Sequence, residues 1–177
     1  MRYVVFLRAV NVAGRIAGME SLRHAFVSLG FANVKTYIQS GNVLFDAPRK
    51  REAELCKRIE TTLHELLGYE VPTFLRTMPR LFGLVDDTPF GDRKASVDLK
   101  LYVTFLSRPL RKPPDLPLFS PNRDLEVIAV RGADVFTLSR RYRGRFGFPN
   151  NFVEDALRVQ ATSRNWETIR KMMQAFA

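Results

Sequence analysis

Four arginines within six positions, Arg140, Arg141, Arg143 and Arg145, are interleaved with Tyr142, Phe146 and Phe148. Guanidinium groups neutralise phosphates and aromatic rings stack on bases, which is the combination a single-stranded nucleic acid site uses. A solvated hairpin exit would have the same composition here, because arginine outnumbers lysine 21 to 7 along the chain. Arg143-Gly144-Arg145-Phe146-Gly147-Phe148 also echoes, with one extra residue, the aromatic signature of RNA-recognition motifs. Gly144 and Gly147 have the spacing of a KH loop. Neither copy has its motif's setting, which is a central strand for the first and a helix–helix junction for the second.

Two smaller polar groups stand out. Arg8 follows the apolar run Tyr3–Leu7, and an arginine seldom enters such a run without a polar partner. Asn11 follows it closely, and Gln39, Ser40, Gly41 and Asn42 form a polar turn further on. The other group is Thr162-Ser163-Arg164-Asn165-Trp166, read as the head of the last helix. With Thr162 as N-cap, free backbone N–H groups and Arg164 would face one anion. Each has an ordinary reading beside it: asparagine and serine serve turns, and a threonine cap with a tryptophan anchor needs no ligand.

The elements that must position these residues follow from periodicity. Tyr3–Val10 reads as a buried strand and Asn11–Gly14 as a loop. A helix runs from Met19, with Leu22, Phe26 and Leu29 on one face and Gly30 at its end. Val34–Gln39 and Asn42–Asp46 are strands joined by a two-residue turn. Residues 50–67 form an amphipathic helix, and Val71–Arg76 closes the unit. The order β-α-β-β-α-β is the ferredoxin-like plait. It brings the end of the first strand to the same sheet edge as the Ser40-Gly41 turn.

Residues 78–177 read as a second, degenerate α+β half. It has a helix at Pro79–Val85 and a strand across Val97–Phe105. A proline-rich connection, 108–121, stands where the first crossover helix would be. Strands Leu125–Val130 and Val135–Ser139 follow, then helices over Asn150–Arg158 and Ser163–Phe176. The expected organisation is therefore α+β, with subdomains 1–77 and 78–177 sharing one core.

Composition narrows the chemistry. The chain has 177 residues, 46% hydrophobic and 26% charged, which is globular rather than disordered. Its net charge is +10, with +3 carried by residues 1–88 and +7 by 89–177. Such a charge bears on partners, not on fold. One cysteine, Cys56, and two histidines, His24 and His64, offer no disulfide framework and no Cys/His metal set, so no metal or cofactor is expected. Cys56 lies on the core face of the 50–67 helix. Nucleophile-elbow, metalloprotease, Walker and dinucleotide-binding motifs are absent. With no signal-peptide pattern and no transmembrane run, the expectation is a cytoplasmic protein that does not engage a membrane.

Residues 6–46, with T-Y-I-Q-S-G-N-V at 36–43, resemble the opening of the domain-of-unknown-function 1697 family. The stretch from Gly144, with A-T-S-R-N-W at 161–166, resembles its ending. The resemblance implies an α+β fold of duplicated ferredoxin-like units and implies no activity. It carries over Arg8, Asn11, Gln39, Ser40, Gly41, Asn42, Thr162, Arg164, Asn165 and Trp166 as motif residues. Ala9 and Ala13 replace the family's usual glycines, which argues against a glycine-cradled phosphate loop. Phe146-Gly147 stands where Ser-Lys is common, and the proline-rich 108–121 segment departs from the usual helix.

Two functional readings lead, with an interaction module for an acidic protein as a third. One is a non-catalytic binder of a phosphate-bearing partner such as nucleic acid or another polyanion, using Arg140, Arg141, Tyr142, Arg143 and Arg145. The other is a small-ligand or enzyme site at the sheet edge, using Arg8, Asn11, Gln39, Ser40, Asn42, Thr162, Arg164 and Asn165. That second set contains no acid–base side chain, so catalysis there would rest on positioning and electrostatics.

Overall fold

The computed structural model describes residues 1–8, 11, 12, 15, 16, 18–38 and 41–177, with 11, 12, 15 and 16 described by their backbone. The chain divides into two compact units, Met1–Phe82 and Gly83–Ala177. The architecture is α+β.

In the first unit the elements are β1 (Arg2–Leu7), β2 (Asn11–Val12), β3 (Arg15–Ile16), α1 (Met19–Ser28), β4 (Ala32–Tyr37), β5 (Asn42–Asp46), α2 (Glu52–Leu67) and β6 (Thr73–Thr77). α3 (Met78–Asp86) follows β6 without a loop, and the division between units falls within it. The main sheet has the order β4-β5-β1-β6, all neighbours antiparallel. That is the strand order of the ferredoxin-like plait.

Alternation along the strands gives this sheet two faces. Tyr3, Val5, Leu7, Val43, Phe45 and Leu75 face the helices, meeting Leu22 and Phe26 of α1 and Leu55, Ile59 and Leu63 of α2. Phe31 stacks on Phe45 at 4.4 Å between ring centres, and Phe26 meets Phe45 at 5.4 Å. Each such side chain contributes about 1.5–3 kcal/mol by leaving water. α2 ends at Gly68, whose φ of 75° is left-handed and suits glycine.

The second unit contains β7 (Leu99–Leu106), β8 (Leu118–Phe119), β9 (Leu125–Arg131), β10 (Asp134–Tyr142), β11 (Arg145–Phe146), α4 (Pro149–Leu157), β12 (Ala161–Asn165) and α5 (Trp166–Ala175). Its sheet runs β12-β7-β10-β9-β8, with β11 paired to β10. Setting β8 and β11 aside, this is the first unit's order again, with β7, β9, β10 and β12 in the places of β1, β4, β5 and β6. The connection holding Pro109, Pro113, Pro114 and Pro117 replaces the first crossover helix.

The correspondence extends to single hydrogen bonds. Leu7 N donates to Gly41 O at 2.8 Å, and Leu106 N donates to Ala133 O at 2.8 Å. Arg8 N donates to Pro72 O at 3.0 Å, and Ser107 N to Gln160 O at 2.9 Å. The first N–H of β6, at Thr73, donates to Glu60 of α2 at 2.9 Å; the first N–H of β12, at Ala161, donates to Glu154 of α4 at 2.8 Å. Three residues into each closing strand comes a buried arginine. Arg76 pairs with Val4 and Arg164 with Val103. Each sends Nη1 to the carbonyl of the residue before it, at 2.7 and 2.9 Å.

The structure corrects several expectations. The first strand ends at Leu7, where its ladder partners run out at Gly41 and Pro72; Arg8 lies just beyond it, half-buried, and Ala9 and Val10 of the expected run lie outside the described residues. The loop at Asn11 pairs its backbone with Arg15 and Ile16. Residues 161–165 form strand β12 rather than the start of a helix. Their backbone completes the sheet beside β7, and the helical apolar period starts only at Trp166.

Candidate nucleic-acid interface

The arginine cluster lies on β10 and β11. β10 runs on past its expected end at Ser139, and from Arg140 its side chains are exposed. Arg143 (φ 50°) and Gly144 (φ 77°) form a two-residue turn between the paired residues Tyr142 and Arg145. Both φ values are positive, as tight antiparallel turns require, and glycine meets that demand at the second position. The turn's base is anchored by Ser139, whose Oγ donates to Gly147 O at 2.7 Å. A Cβ on Gly147 would come within 2.6 Å of Asp124 Oδ2, so a side chain there would have to displace that carboxylate.

The four arginines are not equivalent. Arg140 is ion-paired with Glu126 at 2.6 Å. Arg141 donates to Val97 O at 3.0 and 2.6 Å and lies 3.3 Å from Asp98. Arg141 and Lys100 also sit over the Phe146 ring, at 5.1 and 4.5 Å, so that ring is already engaged by cations. Arg143 lies over the Tyr142 ring at 5.2 Å. Neither Arg143 nor Arg145 has a carboxylate partner among the described residues. Tyr142 is 39% exposed and Phe148 57%, with Phe148 edge-on to Tyr102 at 5.5 Å. Arg143 and Arg145 therefore have no counter-ion among the described residues where they flank the exposed Tyr142 ring, an arrangement suited to phosphates and an unstacked base.

The polar sheet edge is partly on view. Arg8 and Gly41 come to the same end of the first sheet through the two backbone bonds described above. Asn42 is there too, opposite Phe6 and 1% exposed. Its Nδ2 donates to Tyr37 O at 3.2 Å, so the amide serves its own turn. Asn11 is placed by its backbone in β2, and Gln39 and Ser40 lie outside the described residues.

The remaining candidates belong to the second unit. Thr162 is not a helix cap but a buried strand residue, accepting from Arg164 Nη1 at 2.9 Å. Burial pushes the Arg164 guanidinium down to about 10. The cap of α5 is Asn165, whose Oδ1 accepts from Glu167 N at 2.9 Å.

Sequence reasoning missed Arg76 and Lys100. The period-two pattern of Thr73–Thr77 places Arg76 on the face of Phe74, a usable signal. Nothing local ties Lys100 to Phe146. Among the described residues no three of His, Cys, Asp and Glu come together to hold a metal ion. No described helix is long and apolar enough to cross a membrane.

Comparison with known proteins adds a family and a fold. A family model described as "Protein of unknown function (DUF1697)" matches residues 1–136. The structure of the conserved bacterial protein SP0830 from Streptococcus pneumoniae is similar, with a TM-score of 0.69 and 19% sequence identity. The alignment covers 98% of this chain and 97% of that one. At this identity the likeness is one of fold. No curated protein matches the chain.

Proposed function

The chain belongs to the DUF1697 family of proteins of unknown function, and from that premise we propose that it binds single-stranded nucleic acid, without catalysis, through the β10–β11 hairpin. The observation that carries this reading is the division of labour among the arginines. Arg140 and Arg141 are held by Glu126, Asp98 and Val97, which stiffens the hairpin. Arg143 and Arg145 are left to outside anions, next to Tyr142. The net charge of +10 supports it by raising the local concentration of polyanions. On this reading the protein is cytoplasmic. The sheet-edge site ranks second, because the Asn42 amide is committed to Tyr37.

Fluorescence polarisation with a labelled single-stranded oligonucleotide tests the reading. Binding is expected, and Tyr142→Ala or Phe148→Ala should weaken it. If neither ring matters and heparin competes equally well with both variants and the parent, the surface is a general polyanion patch and base stacking plays no part.

A further inference from the structure

The second unit also contains a cleft of about 500 Å³ between the loop after α3 and the first turn of α5. Small-molecule sites typically span roughly 300–1,000 Å³. The loop is folded by Gly91 N to Thr88 O at 2.9 Å and Arg93 N to Phe90 O at 3.2 Å. It is pinned by Phe90, which is 2% exposed and packs 5.4 Å from Trp166 and 5.6 Å from Phe136. Leu101 and Trp166 contribute to an apolar wall.

The charged lining is mostly cationic, Arg93, Lys94 and Arg170 against Glu167. Arg170 is balanced by Glu167 at 3.0 Å. Arg93 and Lys94 are exposed and have no carboxylate partner among the described residues; Arg93 reaches only Phe90 O, at 3.4 Å. Two cations without a carboxylate partner among the described residues thus line a cleft whose apolar lining includes the small exposed part of Trp166, 7% of its surface. We propose that this cleft binds a small organic anion, with its carboxylate or phosphate on Arg93 and Lys94 and a flat apolar body against Trp166 and Leu101. The site is separate in sequence and in residues from the β10–β11 hairpin.

Trp166 is the single tryptophan of the chain, so its fluorescence reports on the cleft. Phenyl phosphate and benzoate should each change the emission saturably, and their relative affinities show which head group the cations prefer. Neutral benzamide and inorganic phosphate should do much less at equal concentration. Arg93→Gln with Lys94→Gln alters two exposed side chains, and thermal melting checks that the variant stays folded. It should weaken both aryl anions by about tenfold, ~1.4 kcal/mol. Arg143→Ala with Arg145→Ala should leave the titration unchanged. A flat titration, benzamide or inorganic phosphate binding as tightly as phenyl phosphate, or an unchanged Kd in R93Q/K94Q would overturn the proposal.

Discussion

Thr104 and Ser163 face each other across β7 and β12 and share one hydrogen bond, 2.7 Å between their Oγ atoms, where neither residue is open to solvent. Removing one hydroxyl strands the other. Thr104→Val or Ser163→Ala alone should therefore cost about 1–3 kcal/mol, and the double variant clearly less than the sum. Urea unfolding of the four proteins measures the coupling, and strict additivity would contradict it.

Thr137 lies on the same sheet face as Val135. It is fully buried, and its Oγ1 has no hydrogen-bond partner among the described residues. A valine has nearly the same shape and leaves nothing unsatisfied. Thr137→Val should stabilise the protein by about 1 kcal/mol. A lower midpoint in urea would show that the hydroxyl is satisfied after all.

Asp46 accepts from Arg2 at 3.0 and 3.1 Å and from Asn33 at 2.7 Å. The Arg2 hydrogen bond, with help from Asn33, holds its carboxyl below the usual range despite some desolvation. A folded pKa below the unfolded one gives stability that is complete above pH ~4 and lost as pH falls through the folded value. The pair is partly exposed, so Asp46→Asn should cost about 0.2–1 kcal/mol at neutral pH. The gap between the two melting temperatures should close as the buffer is taken below pH ~4; a gap that widens in acid would have the wrong sign.

Cys56 is half-buried against the first core, and burial pushes its thiol up. Little thiolate exists at neutral pH. Its reaction with a disulfide reagent should be slow in the folded protein and accelerate on unfolding. Reaction as fast as free cysteine would contradict this packing.

The plait of the first unit was legible because its signals are local: Leu55, Ile59 and Leu63 at helical spacing, Gly68 behind them, and alternating apolar residues in the strands. β12 was not. Ala161–Asn165 has no alternation of apolar residues, and it is a strand because β7 offers an unpaired edge. Thr162 and Asn165 are both good caps by type, and only the sheet decides between them. The arginine cluster was visible as composition. Its division into committed and free members was not, because Glu126 and Asp98 come from distant positions. Phe90, Arg93 and Lys94 belong to no motif, and only the turns at Gly91 and Arg93 bring them to Trp166.

The salt dependence of oligonucleotide binding tests the central reading most directly. Affinity should fall linearly on a log–log plot, with a slope of about −0.7 for each phosphate neutralised on a single strand. Arg143→Ala with Arg145→Ala removes two phosphate contacts and should make the slope shallower by about 1.4. Tyr142→Ala should cost ~1–3 kcal/mol with the slope unchanged. No binding at about 50 mM salt, or a slope that ignores the loss of Arg143 and Arg145, would contradict the account.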